Sequence, residues 1–326
     1  MSVLELIARK NALEYQSPYG YTPSLAPGVA YLVVFSLLAL IHLVLGIKYK
    51  YWIIAVTLLP GGIREYQYSW IEIVGWAGRL WSHYSVLNSN PFIMQICTLI
   101  LGPAFFSAWA YATLGYCIQR LGPRFSLLKP TMYLAVFVTA DVVSLILQAI
   151  GGGKAAVQAE AGTDTTQATH IMLAGILFQL GTMTIFVALA SDFIIRVAAN
   201  RPYKQRTPRA TKPEEDANSD NVADSVTLRV DPEHGVQSRE KSTSSSRKDL
   251  QRVKVLLGGV AFASLMIYIR GVYRSIELAQ GWTGYVITHE AFFTWLDGFP
   301  MVLCYAAFAI AHPGWLLPRR SGWRNA

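Results

Sequence analysis

Charged residues are scarce in this sequence, at 15% of the chain, whereas soluble domains carry about 25%. Between Leu80 and Gln119 there is no Asp, Glu, Lys or Arg. That stretch is longer than the roughly 20 residues with which a helix crosses a bilayer. Hydrophobic residues make up 53% of the chain. The deficit of charge argues against a soluble domain and predicts an all-α, polytopic membrane protein.

Cysteine is also scarce, because the chain has only Cys97, Cys117 and Cys304. The three residues lie in apolar runs and have no CxxC spacing, so neither a zinc site nor a disulfide framework is predicted. We interpret each as a small buried hydrophobe. The six histidines are scattered and lack the HxxxH spacing expected of a membrane zinc hydrolase. We therefore expect no metal and no cofactor.

Two further absences argue against other membrane functions. The last apolar segment has no Lys for a retinal Schiff base, since the final Lys of the chain is Lys254. No Walker A loop is present to hold nucleotide phosphates, which argues against a primary pump. We expect a protein that is not an enzyme.

Seven apolar segments are predicted to span the membrane. The second one is interrupted, because a polar insert at 61–69 separates apolar residues 52–60 from 70–81. The other six segments lie at 26–47, 92–117, 132–150, 171–195, 253–273 and 291–311. A glycine-rich link at 151–153 is expected to end the fourth span.

The distribution of Lys and Arg predicts the orientation, because cytoplasmic loops carry the excess of basic residues. The heavier set of links predicts an extracellular N-terminus and a cytoplasmic C-terminus. That set holds Lys48, Lys50, Arg120, Arg124, Lys129, the long segment before span 6, Arg319, Arg320 and Arg324. The predicted organisation is an extracellular tail 1–24, spans 1–5 in 25–196, a cytoplasmic loop 197–252, spans 6–7 in 253–311 and a cytoplasmic tail 312–326.

The long loop 197–252 is rich in Ser, Asp, Glu, Lys and Arg, so it is predicted to be disordered. Its positive charge makes it a candidate to bind anionic lipid or regulatory proteins. Phosphorylation of its Ser and Thr residues at 242–246 would weaken attraction to anionic lipid.

Ionisable residues inside the predicted spans are the main functional signal, because a charge at membrane depth is costly and usually faces the protein interior. Glu72, Gly75, Trp76 and Arg79 fall on one face of a helix. Glu72 and Arg79 are two turns, about 10 Å, apart, so we expect each to face another span. Arg79 should lie near the end of its span as an interfacial anchor.

Asp141, in the middle of span 4, must be protonated or paired at that depth. Gln148 follows two turns later on the same face. We predict that Asp141, Gln148 and Gln179 line a polar cavity together with Glu72, and that Asp297 is a further candidate. A purely structural hydrogen bond between helices is the alternative interpretation.

The remaining polar and small residues of the spans are assigned to structure or to the interface. Pro103 is expected to kink span 3, and Asp192 is expected to pair with Arg196 four residues later. An interfacial cluster is expected at the end of span 6. The whole structural set is Gly75, Arg79, Pro103, Arg270, Arg274, Glu277 and Glu290.

Several motifs occur in order on successive spans. They are EIVGWAGR at 72–79, LGPAFFSA at 101–108, FVTAD at 137–141 with QAIGG at 148–152, RGVYRSIE at 270–277, the acidic Glu290 and Asp297, and HPG at 312–314. This order resembles the fungal lipid-translocating exporter family, RTA-like seven-span proteins associated with aminocholesterol resistance and with export of sphingoid long-chain bases. The resemblance covers about residues 19–314 apart from the long loop.

The resemblance implies a plasma-membrane protein that moves, or confers resistance to, sphingoid bases or related sterol-like amphiphiles. No nucleic-acid partner is expected, because much of the net charge of +8 lies in one polar segment and in short loops, which fits membrane topology better. A sphingoid base has an ammonium group and two hydroxyls, which suit a carboxylate with amide neighbours such as Asp141 and Gln148. A seven-span lipid sensor or receptor without transport activity is the alternative.

The insert at 61–69 departs from that family, in which span 2 resembles one uninterrupted helix. Residues 52–59 and 70–81 together are long enough for one crossing. The insert is either an error in the coding model, such as a retained intron, which we favour, or a discontinuous helix of the kind found near transporter substrate sites.

Overall fold

The computed structural model describes residues 17, 19–49, 67–203, 232–282 and 284–316. These residues are almost all helical, and no strand occurs within the described ranges. The helices are α1 (Leu25–Tyr49), α2 (Gln67–Tyr84), α3 (Ser89–Leu121), α4 (Pro130–Glu160), α5 (Thr166–Ala198), α6 (Pro232–Ala279), α7 (Glu290–Ile310) and α8 (Pro313–Leu316). The predicted all-α architecture is confirmed.

Six of these helices are long and apolar enough to cross a membrane, namely α1, α3, α4, α5, α6 and α7. Helix α2 has 18 residues and is not among the six, although it packs between α1 and α3. A polytopic membrane protein is therefore supported, while the count of seven spans and the orientation stay predictions. Residues 50–66, with most of the polar insert, lie outside the described residues.

Helix α3 lies at the centre of the bundle, where it contacts α2, α4, α6 and α7. Sequential helices pack side by side, and α7 closes the bundle against α1 and α6. The core at this centre is strongly aromatic, with Phe106 and Tyr111 of α3 buried against rings from the neighbouring helices. The residues near the middle of α3 are thus placed to line any interior site.

Helix α7 contains a π-helical stretch, Phe293–Gly298, that includes Asp297. Such stretches are rare and occur frequently at functional sites. The last residue of the stretch packs against α2, because a Cβ at Gly298 would come within 2.6 Å of the Trp76 indole. Asp297 is directed into the interior and is 1% exposed.

The glycine run at 151–153 does not form the predicted link, because α4 continues through it to Glu160. A Cβ at Gly151 would lie 2.5 Å from the amide nitrogen of Met172 and 2.8 Å from the carbonyl oxygen of Ala168. The glycine therefore allows α4 and α5 to approach closely, as small residues do between membrane helices. Helix packing, rather than a break in the chain, explains this glycine.

Part of the segment predicted as a loop at 197–252 is helical in the structure. Helix α6 begins at Pro232, well before the predicted start of span 6, and the apolar part that could cross a membrane is Leu250–Ala279. Residues 204–231 lie outside the described residues. The polar composition of 232–249 therefore does not prevent a helix there.

Substitution of Gly151 and Gly153 by alanine should have opposite effects on stability. A Cβ at Gly153 meets nothing within 4 Å, so Gly153→Ala should keep or raise the thermal midpoint, as Gly→Ala in a helix stabilises by about 0.5–1 kcal/mol. Gly151→Ala must push α4 and α5 apart and should lower the thermal midpoint. Thermal unfolding of the purified full chain in detergent measures both, and equal midpoints for the two variants would refute close packing at Gly151.

Candidate functional site

A group of buried ionisable side chains, here called the charged cluster, joins α2, α6 and α7. Its members are Glu72, Arg270, Arg274, Glu277 and Asp297, and all five side chains are at most 12% exposed. Arg270 Nε donates to Asp297 Oδ1 at 2.8 Å, and Arg274 Nε donates to the same oxygen. Arg274 also pairs with Glu277 at 2.8 Å, while Glu72 Oε1 lies 3.6 Å from Arg270 Nη1.

Two glycines make room for Glu72 in this cluster. A Cβ at Gly102 of α3 would overlap the carboxylate of Glu72. A Cβ at Gly75 of α2 would come within 2.5 Å of the Leu99 side chain. Both glycines therefore allow α2 and α3 to pack closely enough for Glu72 to reach Arg270. The structural role predicted for Gly75 agrees with this contact.

Arg79 is not the interfacial anchor that was predicted, since it is 1% exposed. Its Nη2 donates to Glu290 Oε1 at 2.7 Å and to the Tyr21 hydroxyl at 2.9 Å, and its guanidinium lies over the Phe293 ring at 4.4 Å. The α6 residues Arg270, Arg274 and Glu277 are likewise buried, at 12% exposed or less. Position near a span end does not reveal that carboxylates on α7 lie opposite these arginines.

Residues 19–24, here called the N-terminal strap, cover the end of the bundle beside Arg79. The Tyr19 hydroxyl donates to Gln95 Oε1 at 2.9 Å and lies 2.8 Å from Ser82 Oγ. Burial raises the pKa of Tyr19 to about 12, so this hydroxyl remains protonated at neutral pH. At the other end of the strap, the Ser24 amide donates to Glu290 at 2.8 Å.

A polar cavity of about 50 Å³ lies between α3, α4, α5 and α6. Asp141, Gln148 and Gln179 line it, as the sequence predicted. Gln148 Nε2 donates to Gln179 Oε1 at 3.0 Å, so the two amides are joined across α4 and α5. Pro103 also lines the cavity, and α3 continues as a helix through it.

Glu72 and Asp297 do not line this cavity, because both belong to the charged cluster. The two regions nevertheless touch, since Arg270 and Arg274 lie in the wall of the polar cavity. The predicted substrate set is thus divided between a cavity and an adjoining ion-pair network.

Asp141 differs from every other buried carboxylate in the described part of the chain. Glu72, Glu277 and Asp297 each lie within 4.0 Å of a guanidinium, whereas no described cation lies that close to Asp141. Its Oδ2 accepts a hydrogen bond from Ser107 at 2.6 Å, and its Oδ1 has no hydrogen-bond partner among the described residues. The Tyr111 hydroxyl also acts on this carboxylate, so the cavity presents a buried carboxylate with hydroxyl neighbours and no cation among the described residues.

A second and larger cavity, of about 440 Å³, runs between α3 and α4 and is here called the apolar groove. It is lined by Ser89, Phe92, Ile93, Ile96, Cys97, Ile100, Leu101, Leu145, Gln148, Ala149, Gly152, Gly153, Ala155, Ala156, Thr165 and Trp282. Cys97 is exposed in this groove, which corrects its prediction as a buried residue, while Cys117 and Cys304 are buried as predicted. An apolar sequence carries no signal that distinguishes a groove from a lipid-facing surface.

Ser107 and Tyr111 also belong to the site, although neither was predicted from the sequence. Both line the polar cavity from α3, and both are buried. Their spacing from Pro103, at four and eight residues, places them on one helical face, and that spacing was the available signal. Asp192 pairs with Arg196 at 2.9 Å, as predicted, on the bundle surface away from these residues.

Neutralising Asp297 should destabilise the protein, because Asp297→Asn leaves two buried guanidinium groups without their shared carboxylate. Removal of one partner of a buried ion pair costs about 3–5 kcal/mol. Asp192→Asn is the matched control, since that pair is exposed and should contribute little. Thermal unfolding of both purified variants provides the comparison. Equal loss of stability in the two variants would contradict the interior role of Asp297.

Comparison with known proteins places these features in a family. A family model described as RTA1 like protein matches residues 69–320. The chain is 31% identical to the sphingoid long-chain base transporter RSB1 of Saccharomyces cerevisiae over 320 residues, which cover 98% of this chain and 78% of that protein. It is 25% identical to Protein RTA1 of the same organism, over 90% of this chain and 84% of that protein.

A third relative is protoporphyrin uptake protein 1 of Saccharomyces cerevisiae, at 24% identity over 74% of this chain and 64% of that protein. No solved structure gives a significant match. The family model covers most of the chain, and the RSB1 match extends over nearly all of it. The chain therefore belongs to the RTA1-like family.

Proposed function

We propose that this protein is a transporter of amphiphilic membrane lipids with a cationic head, of which sphingoid long-chain bases are the leading class. Two of its relatives carry names that describe transport or uptake rather than catalysis. The observation that carries the proposal is the buried carboxylate of Asp141, which lies in the wall of an interior cavity and has no cationic partner among the described residues. The protein is proposed to act without enzymatic chemistry.

An ammonium group is the ligand that best complements Asp141. A charge buried in a membrane protein needs an opposite charge or several hydrogen bonds to offset its desolvation. An amphiphile's ammonium supplies both, because it donates three hydrogen bonds and neutralises the carboxylate. The adjoining guanidinium groups of Arg270 and Arg274 are themselves neutralised, since the charged cluster holds three carboxylates for two guanidinium groups.

The amides beside Asp141 suit the hydroxyl groups of a sphingoid base. Gln148 and Gln179 each have a carbonyl oxygen and an NH₂ group, which accept from and donate to hydroxyls. By the helical rise, Gln148 and Asp141 are about 10 Å apart along α4, and both side chains line the same small cavity. Ser107 of α3 donates a hydrogen bond to Asp141 and holds its carboxylate in place.

Seven spans with an extracellular N-terminus are part of the proposal. Helix α2 is proposed as the remaining span, because its charged residues are paired in the interior and its polar composition therefore understates its fit to a bilayer. Glu72 and Arg79 are each 1% exposed. The excess of Lys and Arg in the proposed cytoplasmic links supports the orientation, and the plasma membrane is the proposed location.

Asp141→Asn should slow movement of the amine while preserving the fold, because the amide has nearly the same shape but no charge. Purified wild-type protein in liposomes should accelerate the transbilayer movement of a fluorescent C18 2-amino-1,3-diol. Asp141→Asn should slow this protein-dependent rate by about tenfold or more, given the cost of an unpaired buried charge. Rates are measured by quenching of the fluorophore in the outer leaflet.

Asp192→Asn serves as the control in the same liposomes, because it removes a carboxylate of the exposed pair with Arg196. It should transport at the wild-type rate. An Asp141→Asn protein that is folded and equally fast would overturn the assigned head-group site. Saturable binding of the amino-diol to wild type without any transbilayer movement would instead support a lipid sensor and overturn the transporter proposal.

A further inference from the structure

The apolar groove and the polar cavity adjoin each other. Gln148 and Ile100 line both spaces, so the amide of Gln148 lies at their boundary. On one side of this boundary are Asp141 and Gln179, and on the other the lining is mainly apolar, with the polar side chains of Ser89 and Thr165 among it. A ligand that occupies both spaces needs a polar end and an apolar end.

The groove is open on its outer side, towards the surface of the bundle that faces lipid in a membrane. Cys97 of α3 and Ala149 and Gly153 of α4 line the groove and are exposed. At Gly153 a Cβ would meet nothing within 4 Å. A chain in the groove is therefore in contact with the surrounding bilayer along the seam between the two helices.

Small residues on α4 create this open seam. Gly152, Gly153, Ala155 and Ala156 line it over little more than one turn. Along the adjacent exposed surface of α4 the side chains are large instead, and they are Val142, Val143, Ile146, Ile150 and Val157. The side chains of α4 are thus smaller where the helix lines the groove. The volume of the groove, about 440 Å³, falls within the roughly 300–1,000 Å³ of ligand pockets.

We propose that the apolar groove holds the hydrocarbon chain of the amphiphile whose ammonium binds Asp141, and that the amphiphile enters sideways from the bilayer between α3 and α4. This assignment rests on the proposed function. The chain then never leaves an apolar environment while the head moves into the bundle. The seam removes the main barrier to entry for a long-chain lipid, since its chain need not pass through the polar ends of the protein.

Photo-crosslinking tests the groove directly. The probe is a C18 2-amino-1,3-diol with a diazirine in the middle of its chain and a terminal alkyne. It is added to the full-length protein in phosphatidylcholine vesicles, and adducts are mapped by mass spectrometry. We expect saturable adducts within residues 89–101 of α3 and 145–156 of α4, displaced by unlabelled amino-diol but not by additional phosphatidylcholine.

Two leucine variants provide the matched comparison. Gly153→Leu places a side chain in the groove, and overpacking of this kind should reduce the groove adducts by about tenfold. Gly181→Leu is the control on α5, because a Cβ there also meets nothing within 4 Å and Gly181 does not line the groove; its adducts should equal those of wild type. The thermal midpoints of both variants show that they are folded.

Three outcomes would overturn the assignment. Groove adducts that phosphatidylcholine displaces equally well would show an ordinary membrane lipid there. Saturable adducts that map elsewhere and disappear in Asp141→Asn would refute the groove while preserving the head-group site. The absence of any saturable adduct, in wild type and Asp141→Asn alike, would count against the proposed function itself.

Discussion

Compensation of buried charge is the constraint on which this structure depends. Four helices bring ionised residues into an apolar bundle, where an unpaired ion is costly. Arg270 alone contacts a carboxylate on α7, a carboxylate on α2 and the Leu99 carbonyl of α3 at 2.6 Å. The arginine therefore fixes the positions of α2, α3 and α7 around α6. A second pair, Arg79 with Glu290, fixes the other end of α2 and holds the N-terminal strap.

Asp141 does not belong to this network of ion pairs, and we interpret its separate position as functional. Among the described residues, the other buried carboxylates pair with guanidinium groups, whereas Asp141 faces a cavity. The polar cavity alone, at about 50 Å³, is too small for a lipid. The cavity shares Gln148 and Ile100 with the apolar groove, which places a site for a charged head beside a site for a chain, and α4 lines both. Head recognition and chain accommodation are thereby assigned to different residues of the same helix.

Much of this arrangement could be predicted from the sequence, because membrane depth makes each charge informative. The apolar runs located six helices, and the face shared by Asp141 and Gln148 identified one wall of the cavity. The separation of Glu72 and Arg79 by two turns correctly implied partners on other helices. The identity of those partners could not be predicted, since the ion pairs of Arg79 and Arg270 join residues more than 20 positions apart.

The roles of glycines and apolar residues were harder to predict from the sequence than those of charged residues. The run at 151–153 has the composition of a loop, and only the closeness of α5 shows that Gly151 is a packing residue. Cys97 and its aliphatic neighbours look identical to a lipid-facing surface until the small residues of α4 are seen opposite them. The volume of a cavity between two helices depends on residues that are distant in the sequence, so it cannot be predicted from a local sequence pattern.

The central claim is that Asp141 binds the ammonium of an amphiphile whose chain lies between α3 and α4. Electron cryomicroscopy of the full-length protein in lipid nanodiscs, with a saturating C18 2-amino-1,3-diol, tests this most directly. Density for the amine is expected about 3 Å from Asp141, as in a charge-assisted hydrogen bond, and density for the chain is expected to continue past Gln148 into the apolar groove. A head group bound at the charged cluster or outside the bundle, with the polar cavity empty, would contradict it.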